Sequence, residues 1–99
     1  MRVLERHTQE LERGTQDAFM AKEKQWQAIE ERLSGFTSKR HYMPMSNWSG
    51  TIVMWEREWE SLAAMEDAYS RLVSDPEHQQ LFSTSVIVDE QVELYLLLT

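Results

Sequence analysis

The first nine residues, MRVLERHTQ, alternate in a two-residue period. Arg2, Leu4, Arg6 and Thr8 fall on one side of an extended chain, and Met1, Val3, Glu5 and His7 on the other. This predicts a strand, closed by a turn at Arg13-Gly14. Beyond it Thr15 stands where a helix N-cap belongs, and Asp17 falls in the first turn, where the helix dipole favours an acid. Ala18, Phe19, Trp26, Ile29 and Leu33 then form an apolar stripe at helical spacing, and Ser34-Gly35 ends it with the residue best suited to a left-handed C-terminal position.

Residues 39–45 predict a second strand, stopped by Pro44 and a turn at Ser46-Asn47-Trp48-Ser49-Gly50. Residues 51–59, rich in β-branched and aromatic side chains, predict a third. Ser61 caps a helix whose apolar positions are Leu62, Met65, Tyr69, Leu72 and Val73. Asp75-Pro76 restarts a short helix, with Asp as cap and Pro where a missing N–H costs nothing, anchored by Leu81 and Phe82. A last strand is expected over 91–98. The order is β-α-β-β-α-β, which predicts an α+β, ferredoxin-like fold over residues 1–99 as one domain. Both helices should cover one face of a four-stranded antiparallel sheet. The last strand is apolar on both sides, with Val92, Leu94, Leu96 and Leu98 against Tyr95 and Leu97, and helices can bury only one set. A second copy, sheet against sheet, is therefore expected, giving a homodimer in the form of a dimeric α+β barrel.

Composition narrows the function classes. Of 99 residues, 41% are apolar and four are Trp, which suits a packed chain. Residues 1–50 carry eight Lys/Arg against seven Asp/Glu, and residues 51–99 carry two against ten, for an overall charge of −7. Such a chain repels phosphate backbones and anionic lipid, so neither nucleic acid nor membrane is an expected partner. The absence of cysteine removes disulfides, thiolate catalysis and Cys-ligated metals. The Met1 end lacks a basic stretch followed by an apolar core, and no apolar run is long enough to span a bilayer. A cytoplasmic location is expected.

No set of residues specifies a reaction by itself. Trp55, Arg57 and Trp59 share one face of the third strand. They form either an aromatic wall with an Arg to hold an anionic or carbonyl group, or two packing tryptophans and an Arg paired to an acid. Glu5 lies beside His7 on one strand face, the arrangement that tunes an imidazole as a general base. These residues predict a pocket between sheet and helices lined by His7, Tyr42, Trp55, Trp59 and Tyr69, with His7 as base, Arg57 as anion holder and Trp59 as stacking wall. His41 is a further candidate for its lining. A cavity of about 300 Å³ or more holding a His and a Trp would favour binding. The three histidines, at 7, 41 and 78, lack metal-ligand spacing, and no glycine-rich phosphate loop or Ser-His-Asp order occurs, so neither metal nor cofactor is expected.

The Arg13-Gly14 turn, the Leu33-Ser34-Gly35-Phe36 helix exit, the Trp59-Glu60-Ser61 junction and Ser74-Asp75-Pro76-Glu77 with Leu81 downstream together resemble the dimeric α+β barrel superfamily. That superfamily includes antibiotic-biosynthesis-monooxygenase-like and NIPSNAP-like proteins. The resemblance covers essentially the whole chain. It implies a barrel that binds a small aromatic or polyketide-like molecule, with cofactor-independent oxygenation or proton transfer as the reaction class. The alternative is a non-catalytic structural or stress-associated interaction module. In the haem-degrading members an Asn, a Trp and an axial His occupy positions that fall here on His7, Trp59 and Tyr69. Only the Trp matches.

Overall fold

The computed structural model describes residues 1–46 and 50–98. The elements run β1 (Val3–Leu11), α1 (Gln16–Leu33), β2 (Arg40–Tyr42), β3 (Ile52–Trp59), α2 (Leu62–Val73), α3 (Pro76–Phe82) and β4 (Ile87–Leu96). The four strands form one antiparallel sheet in the order β2-β3-β1-β4, the expected ferredoxin-like arrangement. No helix among the described residues is long and apolar enough to cross a membrane.

The predicted start and stop signals act through identifiable contacts. The Ser61 hydroxyl accepts from the Ala64 N–H, and the Asp75 carboxylate accepts from the His78 N–H. At the end of α1, Ser34 and Gly35 both take positive φ. A Cβ on Gly35 would sit 2.6 Å from Arg71 Nη2. The bare glycine lets that guanidinium reach the Leu33 carbonyl at 2.5 Å and close the helix. Thr15 differs from expectation, because its hydroxyl donates back to the Glu12 carbonyl at 2.6 Å and accepts nothing from α1.

Other boundaries also moved. β2 is three residues rather than seven, since Pro44 and the turn beyond stop the edge strand early; the expected turn residues Asn47, Trp48 and Ser49 lie outside the described residues. β4 begins at Ile87, four residues before the apolar run, because Asp89 and Gln91 fall on the outer sheet face opposite Glu10 and Thr8. Ala18, Leu62, Val73 and Phe82 are exposed, whereas Glu23, Glu30 and Ala68 are buried.

Three apolar clusters fill the space between sheet and helices. They centre on Val3, Trp59 and Met65; on Trp26, Ile29 and Leu72; and on Leu11, Phe19 and Val53. Val92, Leu94 and Leu96 pair with His7, Glu5 and Val3 and so share their helix-facing side, yet all three remain exposed. The helices therefore cover neither set of β4 side chains, where burial of one set was expected. The outer face mixes Leu4, Ile52 and Met54 with the ion pairs Arg2–Glu58 and Arg6–Glu56.

Candidate functional site

A cluster of ionised side chains, unusual for a core this small, lies among the three apolar clusters. Strand alternation places Glu5, His7 and Gln9 of β1 and Trp55, Arg57 and Trp59 of β3 on the helix-facing side. From above, α1 contributes Glu23, Trp26 and Glu30, and α2 contributes Tyr69. His41 of β2 pairs with Trp55, which brings it to the same side; Tyr42, one residue on, pairs with Met54 and faces outward. Tyr42 is thus not part of the group that the sequence predicted. Period-two geometry allows only one of two adjacent residues on a given face.

Glu5 is the hub and is only 3% exposed. It accepts from Trp59 Nε1 at 2.8 Å and from the Tyr69 hydroxyl at 2.6 Å, and its Oε2 lies 2.5 Å from His7 Nε2. The other ring nitrogen of His7, Nδ1, lies 2.5 Å from Glu90 Oε1 on β4, and Gln9 donates to that same carboxylate at 3.1 Å. The imidazole stacks flat on Trp55, centroids 3.8 Å apart. The arrangement is therefore a histidine clamped between two carboxylates with a tryptophan under it.

The electrostatics follow from that clamp. Burial disfavours charge on both Glu5 and His7, but their hydrogen bonds outweigh it. The Glu5 carboxyl is held below its ordinary range, and the His7 imidazole above its own. Glu90 is lowered chiefly by the His7 hydrogen bond. Tyr69 moves the other way, since burial pushes its phenol up and the nearby Glu5 charge adds to the effect. His7 is thus biased toward the imidazolium, where a general base needs the neutral ring. A phenol held protonated and donating to Glu5 does not fit the role of an axial haem ligand, so Tyr69 does not replace the histidine of the haem-degrading pattern.

Arg57, expected to hold an anion, is only 1% exposed and is bonded through Nη2 to both Glu30 oxygens, at 2.9 and 3.0 Å. Its guanidinium carbon also lies 5.1 to 5.5 Å from the ring centres of Trp55, Phe36 and Trp59. Its charge is answered within the fold. Trp59, expected as a stacking wall, instead packs on Val3 and Met65 and donates to Glu5.

Beside the clamp lies a cavity of about 220 Å³, lined among others by His7, Gln9, Trp26, Trp55, Tyr69 and Glu90. It is smaller than the size expected for a binding pocket, and it brings together His7, Trp55 and Tyr69 of the predicted residues, without Tyr42, Arg57 or Trp59. A second cavity of about 520 Å³ lies between α1 and residues 34–41. Glu23, Glu30 and Lys39 line both.

Sequence reasoning missed Glu23, Glu30, Glu90 and Lys39. A signal for the first two was present: Phe19, Glu23, Trp26, Glu30 and Leu33 recur at spacings of four and three, so both acids share the phase of the apolar stripe. Among the described residues, no group of three or more His, Asp or Glu gathers as a metal site.

No family model and no curated protein matches the sequence. Solved structures match the fold across nearly its whole length. A NIPSNAP-like domain protein from Burkholderia xenovorans superposes with a TM-score of 0.79 at 17% identity, over 99% of this chain and 86% of that one. A NIPSNAP family protein from Agrobacterium tumefaciens gives 0.78 at 13% identity, over 97% and 92%. A variant of SnoaB, a cofactor-independent oxygenase from Streptomyces nogalater, gives 0.76 at 12% identity, over 99% and 94%. At these identities the likeness is one of fold. The expected ferredoxin-like fold shared with NIPSNAP-like proteins is present, and activity has to be argued from the site.

Proposed function

We propose that this chain binds a small aromatic or polyketide-like organic molecule between sheet and helices, with its ring plane between Trp55 and Tyr69 and its polar edge at the His7 clamp. One observation carries the reading. A concave space next to stacked aromatics is bordered by buried ionised groups whose pKa values are displaced in opposite directions, a combination that burdens the fold and is concentrated at working sites. The modest volume limits the ligand to one or two rings unless the adjoining cavity joins it.

The reaction class that extends this reading is the one SnoaB carries out, cofactor-independent oxygenation. In it, a polar group of the ligand donates to the Glu90 carboxylate, which His7 and Gln9 hold in place. The competing reading, a non-catalytic interaction module, draws support from Arg57 and Trp59, both absorbed into packing. Thermal shift against one- and two-ring phenols, ketones and quinones separates the two. Stabilisation of the parent that is lost in Trp55→Leu supports binding; a broad panel that stabilises nothing supports the module.

We further propose that residues 1–99 act as one unit that pairs as a homodimer through the sheet faces. The outer face presents Leu4, Ile52, Met54 and Tyr95 around the Arg6–Glu56 pair, and β4 adds exposed Val92, Leu94 and Leu96. The two sets lie on opposite faces of the sheet, and apolar side chains left uncovered on both faces favour a partner surface over water.

A further inference from the structure

Where the two cavities meet, Lys39 reaches in from the segment that joins α1 to β2 and has no regular structure of its own. Its Nζ lies 3.3 Å from Glu23 Oε2, 3.8 Å from Glu30 Oε2 and 4.3 Å from the centre of the Trp55 ring. Two carboxylates and an indole face around one nitrogen are the elements that recognise an ammonium group.

The two carboxylates each have a second partner besides the lysine. Glu23 has a firm partner in His41 Nε2 at 2.8 Å, and Glu30 has one in Arg57 at 2.9 Å. The lysine contacts are longer than the 2.7–2.9 Å or so of a close charge-assisted hydrogen bond, so Lys39 is the loosely held third member of each group. When it withdraws, each acid keeps a hydrogen-bond partner within the fold. Gln9, also buried and lining the smaller cavity, has an Oε1 without a hydrogen-bond partner among the described residues, which provides a further acceptor.

Charge points the same way. The groups in and behind the wall of the smaller cavity are Glu5, Glu23, Glu30 and Glu90 against Lys39, Arg57 and His7. Acid already outnumbers base there, four groups to three, and removing Lys39 makes it four to two; the chain's net charge of −7 draws cations toward it.

We propose that this place is a binding site for an organic ammonium, which Lys39 occupies from within the chain until an amine-bearing ligand displaces it. The inference rests on the cavity reading above and narrows its ligand to an aromatic compound bearing a primary amine. The ring lies along Trp55 and Tyr69, and the ammonium takes the lysine's place between Glu23 and Glu30. Displacement opens the passage to the larger cavity and gives room for a longer ligand. The lysine thereby also sets the affinity, because a site that its own side chain fills most of the time binds about tenfold or more weakly than one left vacant.

The test uses Lys39→Met, which keeps an apolar stem and removes the charge. Melting temperature is followed for parent and variant during titration with phenethylamine, n-butylamine, the neutral analogue 2-phenylethanol, and sodium chloride at matched ionic strength. The expected result is a saturable rise for Lys39→Met with both amines, at a midpoint at least about tenfold lower than in the parent, and no rise with salt. No amine-specific rise in the variant, or equal midpoints in variant and parent, overturns the proposal. Binding of 2-phenylethanol as tight as that of the amine also overturns it while leaving the cavity reading intact, and silence from every compound removes both. If Lys39→Met does not fold unaided, its refolding yield with and without n-butylamine decides the matter: recovery supports the site and none overturns it.

Discussion

Replacing Glu5 by alanine removes the acceptor on which one buried and two half-buried groups converge. Trp59 Nε1 at 2.8 Å and the Tyr69 hydroxyl at 2.6 Å lose their partner, and His7 loses one of its two carboxylates. Each stranded neutral donor costs about 1–3 kcal/mol. Against this, a desolvated carboxylate disappears and His7 is free to become neutral, which returns part of the loss. The net expectation is about 3 kcal/mol, a large share of the roughly 5–15 kcal/mol that holds a domain of this size. Glu5→Gln keeps one acceptor in nearly the same volume and should cost about half as much. Urea unfolding followed by tryptophan fluorescence gives the difference from the shift in midpoint at unchanged slope. A double-mutant cycle sharpens the test: Tyr69→Phe alone should cost about 1.5–3 kcal/mol, and close to nothing in the Glu5→Ala background. A loss below about 1 kcal/mol for Glu5→Ala, or additive effects of the two changes, would refute the hub.

Other expectations follow from the same contacts. His7 is raised above its ordinary 6.5, so its contribution is complete below that value and is lost as pH rises through the folded-state value; Glu5 and Glu90 are lowered from 4.5, so theirs is complete above 4.5 and is lost on acidification. The stability difference between the parent and His7→Asn, measured by chemical unfolding, should therefore be greatest between about pH 4.5 and 6.5 and shrink on the alkaline side; a difference that grows with pH above 6.5 contradicts the clamp. Arg57→Met strands Glu30 and should cost about 3–5 kcal/mol, with much of the loss recovered in Arg57→Met/Glu30→Met by the same unfolding assay. Ser34 holds φ 62° and ψ 169°, a region that suits glycine, so Ser34→Gly should raise stability by about 1 kcal/mol. For the assembly, light scattering at micromolar concentration should report a dimer, and Met54→Glu on the outer face should give a monomer; a monomeric parent contradicts sheet-to-sheet pairing.

The elements were legible because their signals are local. Ser61, Asp75-Pro76 and Ser34-Gly35 act within one turn of where they stand, and the alternation of Trp55, Arg57 and Trp59 needs nothing beyond strand geometry. The site was legible only in part, because it is assembled from charges that pair across the fold. Glu30 shares the phase of the apolar stripe, but nothing near it in sequence names its partner Arg57, 27 positions on, and Glu90 reads as a polar lead-in to β4 until His7 is found 83 positions away. Arg57 itself illustrates the ambiguity. The same guanidinium can hold a ligand or neutralise Glu30, and only the three-dimensional partner decides which. Tyr42 was misplaced for a simpler reason: a strand cut to three residues leaves no pattern by which to tell which of two neighbours faces inward.

The central claim, a ligand cavity beside the His7 clamp, is tested most directly by following ¹⁵N–¹H correlation spectra of the parent protein during titration with 2-naphthol and with phenethylamine. The account predicts saturable shifts that begin at the indole N–H groups of Trp26 and Trp55 and the backbone amides of Glu5, His7, Gln9 and Glu90, with the outer-face amides of Leu4, Ile52 and Met54 unmoved. Spectra that do not change with either compound, or shifts confined to the outer face, would contradict it.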